Sequence, residues 1–318
     1  MKEILKWLPD IVCLQEVDHF DHFEFEMARN GFSGVFKQRT GDETLDGCAI
    51  FVKENKFRVL STHPIEYFKA DDEVLDRHNV ALAIVVEAKD ADAPPFIVAN
   101  THLLFNPGRG DVKLAQLRLL LDELTTLRHQ PKLHADPHPV VLCGDFNMAP
   151  HSAMYHFLSS GELDASGLPR FYLSGQNTSP ADGIQRAMRW NEHDTSRHLA
   201  NGTAPSRFDA ESARRSDFRT FARGTPAFTH SPQLELSSAY AQLPTKDCTG
   251  EPKFTTFHSG TKGTVDYMWF TSSSLHCHGV VEFTPAGILF ARKELPTPAH
   301  PSDHLPLIAD FSLRALHL

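Results

Sequence analysis

Short apolar runs that stop on an ionisable or amide side chain set the strongest limit on what this chain can become. The run 11–14 is followed by Glu16, 96–99 by His102, and 140–143 by Asp145 and Asn147. Thr264-Val265 leads into Asp266, and Asp303 with His304 opens the run 305–308. Runs this short, bounded by turn formers, suit buried strands. Any one polar end has an ordinary explanation, since Gly144-Asp145-Phe146-Asn147 is made of residues that favour turns. Strand side chains alternate, so Asp145 and Asn147 are expected on one face. Five such ends, all carboxylate, amide or imidazole, are better explained by one shared site.

Between the runs the pattern turns helical. Residues 21–30 have helical character with Gly31 as the stop. Residues 112–128 form the clearest helix, with Asp111 as its expected N-cap and Leu114, Leu117, Leu121 and Leu124 as one core-facing stripe. Another helix is expected over 152–160, closed by Gly161. Further strands are expected at 47–52, 80–87 and near 253–257, 264–270, 280–283 and 305–311. From Gly175 to Gln233 the periodicity dissolves into Ser, Thr, Arg, Gly and Asn, which predicts a disordered insertion inside one domain spanning 1–318. The mixture points to a layered α/β protein.

Composition narrows the function classes. At 318 residues, 41% hydrophobic and 22% charged, the chain can bury the core of a soluble globular protein. No apolar stretch is long enough for a membrane span. The first nine residues are too few and too charged for a signal peptide, so the expected location is intracellular, cytoplasmic and/or nuclear. Five scattered cysteines without a CxxC pair argue against a disulfide framework and a zinc site. His276-Cys277-His278 is explained by alternation along a strand. The formal charge of −9 excludes a generic basic coat for nucleic acid, so phosphate affinity must come from a bound cation and a few local Lys and Arg residues.

Hard oxygen donors such as Glu16 and Asp303 suit Mg²⁺ or Mn²⁺. The imidazoles lack thiolate partners and a HExxH spacing, which leaves a zinc protease poorly supported. Hydrolysis of a phosphate ester needs a metal to offset charge, a base for water, and donors for the charged transition state.

Leu14-Gln15-Glu16, Asn100-Thr101-His102-Leu103, Gly144-Asp145-Phe146-Asn147, Val265-Asp266-Tyr267 and Ser302-Asp303-His304-Leu305-Pro306 together resemble the endonuclease/exonuclease/phosphatase superfamily. The resemblance implies a four-layer α/β sandwich, two central mixed β-sheets flanked by helices, with the site at one end. It implies Glu16 as the metal-binding carboxylate, with Asp303 beside the metal. His304 would act on the attacking water or the scissile phosphate, with Asp266 holding its tautomer. Asp145 would position or deprotonate the nucleophile, and Asn147 and His102 would donate to phosphoryl oxygens.

Residues 77–82, 106–114 and 47–50 are similar to the branch holding nocturnin, the catabolite-repressor deadenylases and, most closely, the Angel proteins. There Asn79 would contact substrate phosphate or sugar. The deadenylases stack adenine on an aromatic residue five positions before the orienting Asp, where this chain has Thr261. The resemblance therefore implies Angel-like removal of 2′,3′-cyclic phosphates from RNA 3′ ends. Arg109 and Lys113 are candidates for the RNA backbone, with solvated charges at a helix start as the plainer alternative. A poly(A)-specific 3′ exoribonuclease acting on mRNA is the runner-up. Members of the family carry an earlier strand that supplies an Asn to the metal site, and the ten residues before Ile11 do not provide it. A truncated, inactive RNA-binding relative is thus a third expectation.

Overall fold

The computed structural model describes residues 1–90, 93–130, 137–166, 168–177, 228–229, 234–242, 250–258, 261–281, 294–298 and 300–314. In chain order the elements are α1 (Lys2–Leu5), β1 (Ile11–Leu14), α2 (Phe20–Ala28), β2 (Phe32–Gln38), β3 (Gly47–Lys53), β4 (Phe57–Glu66), β5 (Val80–Ala88), β6 (Phe96–His102), α3 (Gly110–Arg128), β7 (Val140–Asp145) and α4 (Ala153–Ser160). They continue with β8 (Glu162–Leu163), β9 (Phe228–Thr229), β10 (Leu236–Ser238), β11 (Thr256–His258), β12 (Thr261–Gly263), β13 (Asp266–Thr271), β14 (Leu275–Val280) and β15 (Ala309–Leu313).

Two sheets form the centre, a three-stranded one ordered β1-β3-β2 and a six-stranded one ordered β10-β13-β7-β6-β5-β4. The six-stranded sheet is mixed, because β6 and β7 run parallel while their other neighbours are antiparallel. A parallel pair needs a crossover, and α3 supplies it across the outer face. The three-stranded sheet departs from the expected mixed character: both its pairings are antiparallel.

Strand alternation explains the layering. Along β5, Leu82, Ile84 and Val86 face Cys48, Ile50 and Val52 of the other sheet. Ala81, Ala83 and Val85 point the opposite way, into the cluster formed with Leu114, Leu117, Leu121 and Leu124 of α3. A strand buried on both faces must be apolar at every position, which is why 80–86 reads as an unbroken run. Helices α3 and α4 cover the six-stranded sheet. On the far side Met27 of α2 and Ile4 and Leu5 of α1 pack on Phe51 and Ala49. The order is helix, sheet, sheet, helix. The β14–β15 pair covers Val141 and Phe270 on the inner face, with Phe270 and Phe311 ring centroids 5.2 Å apart.

Boundary expectations hold at α4, where Ser152 accepts a capping hydrogen bond from Tyr155 N and Gly161 closes the helix at φ 86°. They fail at α3. Asp111 does not cap it; Arg109 is the capping position, and Asp111 lies inside the first turn, buried against Arg109 and Arg170. Strands β2 and β4 carry no clean apolar run and escape the sequence pattern. Most of the 175–233 insertion lies outside the described residues. Among the described residues no helix is long and apolar enough to cross a membrane.

Candidate active site

Register assembles the site. The parallel β6–β7 pairing puts His102 opposite Asp145, and the antiparallel β7–β13 pairing puts Asp266 opposite Asp145. Three polar strand ends far apart in sequence thus form one row across the edge of the six-stranded sheet. Thr101 and Gly144 lie one step behind them, and close strand approach there leaves no room for a side chain. A Cβ on Gly144, at φ 154°, would meet the Thr101 carbonyl oxygen at 2.2 Å.

His304 reaches the row from a loop fixed to β11. Phe257 N donates to the Asp303 carbonyl at 3.1 Å, and Leu305 N to the Thr255 carbonyl at 2.7 Å. His304 Nδ1 lies 2.8 Å from Asp266 Oδ2, a hydrogen bond that directs Nε2 away from the carboxylate. Asp266 is held in turn by the Thr255 hydroxyl, which accepts from the amide nitrogens of Val265 and Asp266. One ligand atom from each of Asp145, Asp266 and His304 falls within 4.8 Å of the others.

Asp145 is the last residue of β7, and Asn147 lies beyond the strand. Simple alternation therefore does not bring them together. Asn147 adopts φ 49°, and its amide nitrogen donates to Asp145 Oδ1 at 2.8 Å. That turn, stabilised by an Asp side chain accepting from the backbone two residues on, carries both side chains into one cavity. Asn147 Nδ2 donates to the Leu103 carbonyl at 3.0 Å. Glu16 has left β1 at φ 54°, and its exposed carboxylate stands 3.9 Å from His102 Nδ1.

Glu16, His102, Asp145, Asn147, Asp303 and His304 line a cavity of about 110 Å³, together with Phe105, Gln176, Thr256, His258 and Val265. A larger cleft of about 190 Å³ between β4 and α3 holds no such row of titratable ends, so size does not locate the site.

Crowded charge perturbs these groups. Burial pushes the Asp145 carboxyl up to about 8, and the neighbouring Asp266 adds to the push. Burial pushes His304 down, but the Asp266 carboxylate, joined by Asp145 and Asp303, outweighs it and raises the imidazole to about 10. Burial holds His102 below its ordinary value against the pull of Glu16. His102 Nδ1 is buried with no hydrogen-bond partner among the described residues, and its Nε2 is 3.6 Å from Asp145 Oδ2, too long for a hydrogen bond. The carboxylates of Glu16, Asp145 and Asp303 on one lining are the oxygen donors that suit a hard divalent cation.

Three expected substrate contacts lie elsewhere. Asn79 is buried behind the row, where its Nδ2 donates to the His102 carbonyl at 3.1 Å and its Oδ1 accepts from Gln116 Nε2 at 3.3 Å. Arg109 is engaged by the Asp111 carboxylate at 3.0 and 3.2 Å, away from the cavity lining. Lys113 is not a surface cation: it is fully buried and donates to the Asn147 carbonyl at 2.8 Å and to Gln176 Oε1. All three hold the frame of the site. Asn100 was missed as a positioning residue. Its Nδ2 donates to the Leu14 and Ala49 carbonyls at 2.8 and 3.0 Å, and its Oδ1 accepts from Gln15 at 2.6 Å, tying the Glu16 strand to the His102 strand. An amide directly after an apolar run was its only signal.

The chain is similar to several known proteins. The chain is 36% identical to carbon catabolite repressor protein 4 homolog 5 of Arabidopsis thaliana, over 98% of this chain and 68% of that protein. It is 34% identical to protein angel homolog 2 of Homo sapiens, over 98% of this chain and 62% of that protein. The chain thus spans about two thirds or less of the length of these relatives. The structure matches that of ANGEL2, a 2′,3′-cyclic phosphatase, with a TM-score of 0.73 and 35% identity, covering 98% of this chain and 84% of that one. The human nocturnin catalytic domain follows at TM-score 0.61 and 26% identity, with 98% and 84% covered. Residues 1–304 match the endonuclease/exonuclease/phosphatase family across the whole row from Glu16 to His304, and the chain belongs to that family.

Proposed function

We propose that the chain is a Mg²⁺- or Mn²⁺-dependent phosphoesterase acting on RNA 3′ ends, from which it removes 2′,3′-cyclic phosphates. The observation that carries this is the convergence of Asp145, Asp266 and His304, whose ligand atoms lie within 4.8 Å of one another beside a small cavity that Asp145 and His304 line. Endonucleases, exonucleases and phosphatases share one reaction, the hydrolysis of a phosphate ester. The cyclic phosphate is favoured by the 35% identity to ANGEL2, itself a 2′,3′-cyclic phosphatase.

Each side chain has a task in this reading. Glu16 and Asp303 would hold the divalent cation, which would supply charge compensation for the phosphoryl oxygens. Asp145 accepts a hydrogen bond from the attacking water and takes its proton. His304, kept protonated by Asp266, donates from Nε2 to the scissile phosphate. His102 and the remaining Asn147 N–H donate to the other phosphoryl oxygens. Water forms a bond to phosphorus as one ring P–O bond breaks, and a second water cleaves the remaining ester in the same way. Each departing ribose oxygen takes the proton given up by its attacking water, leaving two ribose hydroxyls and inorganic phosphate. Asn79, Lys113 and Arg109 act one layer back.

A poly(A)-directed 3′ exoribonuclease is the second reading, favoured by the 36% identity to the A. thaliana carbon catabolite repressor protein 4 homolog. Two RNA oligonucleotides separate them, one ending in a 2′,3′-cyclic phosphate and one in an oligo(A) tail with a free 3′ hydroxyl. Loss of the cyclic phosphate at unchanged chain length is expected. Progressive shortening of the tail with the cyclic end untouched would select the second reading instead.

A further inference from the structure

Among the described residues Phe105 is the one ring lining the cavity that carries no polar atom, and it stands 50% exposed. Its neighbour Leu103 is fully buried, so the loop after β6 turns this phenyl outward at an entropic and solvation disadvantage. The loop itself is fixed on both sides. Leu103 N donates to the Asp145 carbonyl at 2.9 Å and Leu104 N to Gln116 Oε1 at 3.0 Å. Downstream, Asn106 Oδ1 accepts from Gly108 N at 2.8 Å, and the Asn106 carbonyl accepts from Arg109 N at 3.2 Å. An aromatic face is thereby held still in solvent beside His102 and Asp145.

The cavity volume says what that face is for. About 110 Å³ falls well below the roughly 300 Å³ of a site that encloses a whole small molecule. It admits a phosphate and its nearest oxygens, while a base attached to that phosphate must lie outside, along the rim. Every nucleobase has a π-face, and stacking on an aromatic side chain is tolerant of which base is offered.

We infer that Phe105 is a binding platform on which the terminal nucleobase stacks while its phosphate occupies the cavity. The ligand is then a nucleotide end of any base identity. This rests on the phosphoesterase reading above.

The test compares a ribonucleoside 2′,3′-cyclic phosphate with the base-free 1-O-methylribose 2′,3′-cyclic phosphate. Phe105→Ala is expected to lower kcat/KM on the nucleotide by on the order of ten- to a hundredfold, mainly through KM. The base-free compound should be opened at the wild-type rate, and Phe105→Trp should restore the nucleotide reaction. Equal loss on both substrates, or no loss on the nucleotide, overturns the platform. If the wild-type chain opens neither ring, the phosphoesterase reading fails separately. Adenosine 3′-phosphate binding then decides, with equal affinity for wild type and Phe105→Ala overturning the proposal.

Discussion

Glu251 shows how a single side chain can set stability without touching the site. Its carboxyl is buried, and Tyr155 donates to Oε1 at 2.7 Å. Burial raises it to about 7, against 4.5 for a free glutamate. A folded-state value above the unfolded one means that its contribution is intact below about 4.5 and is lost as pH rises through 7. Glu251→Gln, which keeps the acceptor for Tyr155, should therefore leave the unfolding midpoint unchanged at pH 4.5 and raise it at pH 8. Thermal melts at both values check this, and a variant less stable at pH 8 would contradict it. Residues of this kind are not legible in sequence, because burial depends on the neighbours. Lys113 makes the same point. A lysine in the first turn of a helix reads as a solvated charge, yet its amine is buried and holds the carbonyl of Asn147. Glu16, His102, Asp145, Asp266 and His304 could be named because each interrupts an apolar run, where a charge is conspicuous.

Elements were legible to the extent that both their faces are buried. Strands β5, β6 and β7 announce themselves as unbroken apolar runs, and α3 by its leucine stripe. Strand β4 alternates half-buried and exposed residues and contains Pro64, as an edge strand can. Strand β2 includes Ser33 and Gly34 and is partly buried through most of its length. Neither has a pattern strong enough to read locally. The β6–β7 junction carries its own prediction. Gly144→Ala forces a Cβ against the Thr101 carbonyl and a left-handed conformation that alanine resists. Its expected cost is on the order of 2–3 kcal/mol in denaturant unfolding. Because His102 and Asp145 are opposite each other one residue further on, activity should fall with it. An unfolding midpoint equal to that of the wild type would show that the two strands are not held as closely as described.

At the scale of the whole molecule, four layers bring the ends of β1, β6, β7 and β13 to one edge, with His304 delivered from a separate loop. The set of polar ends suggested one site, and the ordered motifs implied the layered fold. Neither strand order nor register can be read from local pattern, since both depend on pairings between residues distant in sequence, such as Asp145 with Asp266. Register is what turns five turn-like fragments into a site. The central claim is that this row hydrolyses a phosphate ester with a divalent cation. It is tested most directly by following release of the cyclic end from an RNA oligonucleotide with Mg²⁺, with excess EDTA, and with His304→Ala. Turnover should require Mg²⁺ and vanish in the variant, which keeps the fold. Turnover that survives EDTA, or is undiminished in His304→Ala, would contradict the account.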